Sequence, residues 1–221
     1  MLVKTRPSGG KNNMSCIPCG NGIGGIFMSN TRNKIKNISI IGMFGAVIVV
    51  LQLLSYVVKI GTFNLSLVLI PLVLAAYLFG PKTGAVLGGV FGLTVVICCF
   101  TGMDLGGNIL ITASPFLTIA VCMVKGIAAG LSAGFTAKFL KDKNSYAAII
   151  LSAAVAPLVN TGLFVIAMFV FFKDILTVWA GGTDIVTYAI VGLVGINFLI
   201  EFAANLIAAP SLLRVTKALK K

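Results

Sequence analysis

The amino-acid sequence predicts an all-α, polytopic membrane protein with six transmembrane helices and with both termini in the cytoplasm. Of the 221 residues, 58% are hydrophobic and only 10% are charged, whereas a soluble domain carries about 25% charged residues. The chain that follows a polar leader is long enough for six spans of roughly 20 residues each. Lysine and arginine cluster at the two ends and in short loops, which is typical of cytoplasmic segments.

The predicted helices are separated by polar loops or by glycine and proline. Gly80 and Pro81 end the second helix, which is short for a full crossing. Turn-forming residues predict a loop at 101–108, lysines mark a second loop at 138–143, and a third is predicted at 173–183. The helices are predicted at residues 38–58, 65–79, 83–100, 109–140, 146–172 and 185–213.

Residues 1–30 form a polar leader, which differs from the rest of the chain and lacks the apolar core of a signal peptide. Its C-x-x-C pair at 16–19 has neither the second ligand pair of a zinc site nor the surroundings of a redox motif. We expect the leader to lie outside a single membrane domain at 31–221. Translation is predicted to start at Met28, because residues 24–27 can be encoded by a purine-rich ribosome-binding sequence.

The composition argues against several classes of function. The chain has no histidine and only five carboxylates, and histidine is the commonest metal ligand and general base. We therefore expect no enzyme, no metal site and no cofactor. The basic residues that give the net charge of +12 cluster at the chain ends and in the loops, so no nucleic-acid partner is expected. Pro81 stands where a phosphate-binding loop requires glycine, so if transport is energised by ATP, another subunit must hydrolyse it.

Ionisable and amide residues within the apolar runs are candidates for ligand binding. Lys125 lies in the middle of a predicted helix, where a charge costs at least about 2.5 kcal/mol. Glu201 is the only carboxylate within a predicted helix, so the two residues can form a structural ion pair or contact a polar ligand. Asn197 shares the helical face of Glu201, and Asn160 adds another amide. Hydrogen bonding between helices remains an alternative for each asparagine.

The loops on the outer side of the membrane offer further candidates. Asn64 follows the first helix, and Asp104 and Asn108 lie in the loop at 101–108. Trp179, the only tryptophan, can stack on a ligand or anchor the chain at the membrane interface, and anchoring is the favoured interpretation.

Small residues recur at four-residue spacing in three predicted helices. Those at 80–92 and at 126–134 are expected to pack the bundle closely, which is the commonest use of such stripes. Gly42 and Ala46 form a similar pair beside the basic flank of the first helix. For this pair, packing within the chain and docking of a partner are about equally favoured.

Two strings carry a resemblance to a known family. Residues 67–88 read L-x-x-I-P-L-x-L-A-A-x-L-F-G-P-K-x-G-A-x-x-G, and residues 125–134 read K-G-x-x-A-G-L-x-A-G. With six predicted helices and a basic flank before the first, they resemble the S component of an energy-coupling factor (ECF) vitamin transporter. The resemblance covers the chain from about residue 34 to the C terminus, and the leader has no counterpart in the family.

The resemblance implies high-affinity binding of a water-soluble vitamin or related micronutrient in a prokaryotic cell membrane. It also implies docking, through Gly42 and Ala46, to a membrane scaffold subunit that carries two ATP-binding cassette ATPases. A lysine in the site suits an anion such as pantothenate, but Glu201 could neutralise it, so riboflavin and other vitamins stay open. The alternative is a membrane scaffold or assembly protein without a ligand. The implied substrate-binding residues are Asn64, Asp104, Asn108, Lys125, Asn160, Trp179, Asn197 and Glu201.

Overall fold

A computed structural model describes the backbone of residues 23–57, 59–60, 63–64 and 67–219. Residues 1–22 of the predicted leader lie outside this part of the chain, so the translation start at Met28 stays a prediction. Contacts divide the chain into two units, Met1–Ile38 and Ser39–Lys221. The helix contacts and the cavity described below lie in the second unit.

The described chain is almost entirely helical, which confirms the predicted all-helical class. Two strands of two residues each, β1 (Lys59–Ile60) and β2 (Phe63–Asn64), pair antiparallel after the first helix. A π-helical segment (Tyr188–Val194) lies between the last two helices. The α-helices are α1 (Ile23–Val57), α2 (Leu69–Phe79), α3 (Pro81–Phe100), α4 (Leu105–Ala113), α5 (Pro115–Leu140), α6 (Ser145–Phe171), α7 (Lys173–Ala180), α8 (Ile185–Thr187) and α9 (Gly195–Leu219).

Several helices are long and apolar enough to cross a membrane. Among the described residues, four pass by length and composition: Ile38–Tyr56, Pro81–Phe100, Pro115–Leu140 and Ser145–Phe171. Lys173–Ala180 and Ile185–Gly192, which meet at 91°, make a fifth if they form one broken span. Leu69–Phe79 and Phe198–Ser211 are shorter apolar helices. The chain is thus a multi-pass membrane protein, while six crossings and cytoplasmic termini stay predictions.

The predicted fourth helix is wrong as one continuous element, because the chain breaks at Ser114. Ser114 has extended backbone angles (φ −156°, ψ 95°), which a residue before proline favours. Pro115 then begins α5, where its missing N–H costs nothing. The predicted loop at 101–108 is also partly wrong, since α4 begins at Leu105. Asp104 caps α4 by accepting a 3.2 Å hydrogen bond from the Gly107 N–H.

The region after α6 also differs from its prediction. The predicted loop at 173–183 contains α7, which ends at Gly181 in the left-handed region (φ 56°) that glycine tolerates best. The predicted sixth helix is interrupted. Asp184 caps α8 by accepting a 3.1 Å hydrogen bond from the Thr187 N–H, and the π-helical segment then precedes α9. Such π-helical turns are rare, and many of those that do occur lie at functional sites.

The closest packing in the second unit joins α3 to α5 through their main chains. A Cβ atom added to Gly84 would overlap the Gly130 carbonyl, and one added to Gly88 would overlap the Gly126 carbonyl. The reverse additions overlap the carbonyls of Gly84 and Gly88. This close approach confirms that the small-residue stripes of these two helices pack the bundle.

The C-terminal end of α2 is held by a lysine from the loop after α5. The Lys141 ammonium donates a 3.0 Å hydrogen bond to the Tyr77 carbonyl and lies 4.7 Å from the centroid of the Tyr77 ring. The last carbonyls of a helix lack partners within that helix. Lys141 therefore both caps α2 and joins it to the end of α5.

Replacement of Lys141 by methionine should destabilise the protein by about 1 kcal/mol, because the Tyr77 carbonyl loses a charged donor. Thermal unfolding in detergent measures the effect. Lys143→Met is the matched control, since Lys143 is exposed in the same loop. Equal melting temperatures for the two variants would show that the Lys141 contact adds nothing to stability.

Candidate functional site: a cavity among the helices

A cavity of about 390 Å³ lies among the helices of the second unit. Most of its wall is apolar or aromatic, as is usual for small-molecule sites of about 300–1,000 Å³. Residues from α1, α3, α4, α5, α6, α7, the π-helical segment and α9 contribute to it. Its polar side chains include Gln52, Tyr56, Asp104, Thr118, Lys125, Asn160, Thr161 and Glu201.

Three polar residues on α5, α6 and α9 form the most unusual part of the wall. The Lys125 ammonium lies 4.9 Å from the centroid of the Phe164 ring, a cation–π contact. Oε1 of Glu201 and Oδ1 of Asn160 are buried and have no hydrogen-bond partner among the described residues. Each such acceptor costs about 1–3 kcal/mol. The described side chains include no ion pair between Lys125 and Glu201, so the predicted alternative of a structural pair is not formed.

A second polar group surrounds the start of α4. Oδ1 of Asp104 caps the helix, and Oδ2 accepts a weak 3.9 Å hydrogen bond from the Cys99 thiol. The Asn108 amide donates a 3.0 Å hydrogen bond to the Cys99 carbonyl, which ties α4 to α3. On α7, Trp179 approaches α4, because a Cβ atom on Gly106 would lie 3.8 Å from the indole ring. Trp179 and Gly106 both line the cavity.

The comparison with known protein families agrees with this arrangement. Residues 36–213, most of the chain, match the family described as ECF transporter, substrate-specific component. The chain belongs to this family of S components. No curated protein and no solved structure matches it significantly. The resemblance noted from the sequence is confirmed, and it makes the chain a substrate-binding subunit of a transporter rather than an enzyme.

The S component brings together some of its predicted substrate-binding residues. Asn108 does not line the cavity, and its amide is engaged with the α3 backbone. The side chains of Asn64 and Asn197 lie outside the described residues, although the Asn64 backbone pairs with Lys59. The role of all eight residues in binding stays a prediction. Those that line the cavity are Asp104, Lys125, Asn160, Trp179 and Glu201.

Other lining residues of the S component are absent from the sequence prediction. Gln52 and Tyr56 are buried on α1, where the Gln52 amide donates a 3.0 Å hydrogen bond to the Tyr56 hydroxyl. Their four-residue spacing within an apolar run was the available signal. Thr118 gave no such signal in the sequence. Its hydroxyl donates a hydrogen bond to the Ser114 carbonyl at the start of its own helix. The π-helical segment contributes Tyr188.

The predicted docking pair of the S component lies on an exposed face of α1. A Cβ atom on Gly42 would meet nothing within 4 Å, and Ala46 is exposed. Met43, Val47 and Val50 are also exposed on this helix. Space for a second helix is thus available beside Gly42 and Ala46, and docking there stays a prediction.

Proposed function

We propose that this S component binds a water-soluble vitamin or related micronutrient in the cavity, as the substrate-specific subunit of an ATP-driven ECF importer in a prokaryotic cell membrane. One observation supports this most strongly: Lys125, Glu201 and Asn160 line the cavity, and two of their acceptors have no partner within the described part of the chain. Helices that only pack together gain nothing from a membrane charge or unpaired acceptors, which reduce stability. Ligand binding is therefore favoured over a purely structural scaffold.

The proposed importer needs other subunits to supply energy. The sequence has no nucleotide-binding motif, so two ATP-binding cassette ATPases on a membrane scaffold subunit would hydrolyse ATP. We assign docking to the α1 face at Gly42 and Ala46. The short apolar helices Leu69–Phe79 and Phe198–Ser211 would add two crossings to the four long ones. Cytoplasmic termini would then follow from the basic residues at both ends.

Pantothenate and riboflavin are the two vitamins to compare first. The Lys125 ammonium would attract the carboxylate of pantothenate, whereas the carboxyl groups of Asp104 and Glu201 in the same wall oppose it. The aromatic residues of the wall, among them Trp179 and Phe164, suit the ring system of riboflavin.

Native mass spectrometry of the purified protein tests the proposal. We expect a small molecule to be released from the detergent-purified protein in stoichiometric amount. A panel of vitamins should include one that raises the melting temperature, since a ligand of the folded state stabilises that state. A protein that releases no small molecule, and that no vitamin stabilises, would favour the scaffold alternative.

Replacement of Trp179 by alanine should weaken binding of the stabilising vitamin about tenfold or more, because a large aromatic surface is lost from the cavity wall. Isothermal titration calorimetry measures the affinity. Val178→Ala is the matched control, because Val178 is the preceding residue on α7 and its side chain is 77% exposed. Unchanged affinity in both variants would favour the interfacial-anchor interpretation of Trp179.

A further inference from the structure

We propose that the cavity selects a neutral or cationic planar ring that bears N–H donors, and that it discriminates against ligands with a carboxylate. This inference rests on the proposed vitamin-binding function and narrows its substrate class. Three features of the wall support it: the balance of charge, the unpaired acceptors, and the number of aromatic side chains.

The charge balance of the wall disfavours an anion. Among the lining residues that the structure describes, Asp104 and Glu201 are acidic and Lys125 alone is basic. A carboxylate ligand would place a further acidic group beside two carboxyl groups that face a single ammonium, and like charges repel strongly in a site of low dielectric. A neutral or cationic ligand avoids this repulsion.

The hydrogen-bonding needs of the wall point in the same direction. The Lys125 ammonium lies over the Phe164 ring, and this cation–π contact stabilises its charge within the wall. Glu201 has no ion-pair partner among the described residues, and its Oε1 lacks a donor, as does Oδ1 of Asn160. These two acceptors need donors, and an N–H group on a ligand would form a strong, charge-assisted hydrogen bond with an ionised Glu201 carboxylate. A carboxylate ligand has only acceptors to offer.

The remaining wall suits a ring better than a flexible chain. Aromatic faces and edges pack against a planar ring in offset or edge-to-face geometry, which an aliphatic chain cannot adopt. The six aromatic side chains among the described lining residues are Tyr56, Phe91, Phe164, Trp179, Tyr188 and Phe198.

The test compares four probes on the full-length protein purified in detergent and washed free of bound molecules. Riboflavin is neutral and has a planar ring system with an N–H donor, and thiamine is cationic and has a planar aminopyrimidine ring with N–H donors. Pantothenate is an aliphatic anion, and panthenol replaces its carboxylate by a neutral hydroxymethyl group. We expect one of the ring probes to bind at least about tenfold more tightly than pantothenate. Panthenol should bind no more weakly than pantothenate, since removal of the carboxylate removes the repulsion.

The outcomes separate this inference from the proposed function. Tightest binding of pantothenate, or a co-purified molecule that carries a carboxylate, would overturn the inference and leave vitamin binding intact. A co-purified planar ring with N–H donors would support it, provided that pantothenate is not the probe that binds most tightly. Absence of binding by all four probes, together with absence of any co-purified molecule, would overturn the proposed function itself.

Glu201→Gln tests the role of the carboxylate without a change of shape. The variant should bind the preferred ring probe about tenfold more weakly, because the charge-assisted hydrogen bond is lost. The affinity of the variant for pantothenate, in contrast, should be no weaker than that of the parent protein. Asp142→Asn is the control, since Asp142 is exposed and does not line the cavity. The melting temperature without ligand verifies folding, and unchanged ring affinity in a folded variant would refute the role of Glu201.

Discussion

Replacing Gly88 by alanine is expected to destabilise the protein by up to about 3 kcal/mol, whereas alanine at the adjacent Gly89 should leave it stable. The added Cβ atom at Gly88 would overlap the Gly126 carbonyl, and a main-chain atom cannot rotate away. Relief requires α3 and α5 to separate, which removes packing that holds membrane helices together. At Gly89 the same atom would lie 3.8 Å from the Ile127 side chain, an ordinary contact.

The two alanine variants form a matched pair, because they lie on the same helix and share the same gain in helix propensity. Thermal unfolding and size-exclusion chromatography in detergent compare them. Gly130→Ala should behave like Gly88→Ala, since its Cβ atom would overlap the Gly84 carbonyl. If Gly88→Ala and Gly89→Ala had the same melting temperature, the close approach of α3 and α5 would be contradicted.

Replacing both Gly42 and Ala46 by tryptophan is expected to abolish vitamin uptake by cells and to leave ligand binding by the purified protein unchanged. Neither residue lines the cavity, and the space beside Gly42 is open, so the fold can accept the larger side chains. Two bulky residues one turn apart would keep a partner helix at a distance. Uptake of radiolabelled vitamin and calorimetry on the purified protein measure the two effects separately.

The control for this double variant is another exposed pair at the same spacing. Ile166 and Val170 on α6 are 59% and 64% exposed. Tryptophan at both positions should preserve uptake as well as binding. Loss of binding in the α1 variant, or equal loss of uptake in both double variants, would contradict a docking role for Gly42 and Ala46.

The helical class and much of the helix placement were predictable, because apolar runs of spanning length have few alternatives in a membrane. The interruptions were less so. Pro115 lies inside the apolar run at 109–140. The prediction followed the length of this run and gave too little weight to the restriction that proline places on the backbone of Ser114. The helical start of α4 depends on the Asp104 cap, which a turn-forming composition concealed. Hydropathy reports burial in lipid and does not report where backbone hydrogen bonding is interrupted.

The site was predictable where a residue contrasts strongly with its surroundings. Lys125, Glu201 and Asn160 stand out, because ionisable and amide side chains are rare in apolar runs. Asn108 is different, since its amide joins α4 to α3. The sequence does not show which group an amide side chain will bind. Tyr188 was not predictable, because it enters the wall through a π-helical segment. That backbone form has no clear pattern in the sequence.

The main-chain contact between α3 and α5 also bears on how this chain could be redesigned. Gly84, Gly88, Gly126 and Gly130 join the two helices through their backbones, and none of these four residues lines the cavity. A substitution at Lys125, which lines the cavity from α5, is therefore expected to leave these main-chain contacts in place. If the cavity binds the nutrient as proposed, single substitutions in its wall should alter nutrient preference while the glycine contacts stay unchanged, and the chain would then suit laboratory evolution of new uptake specificities.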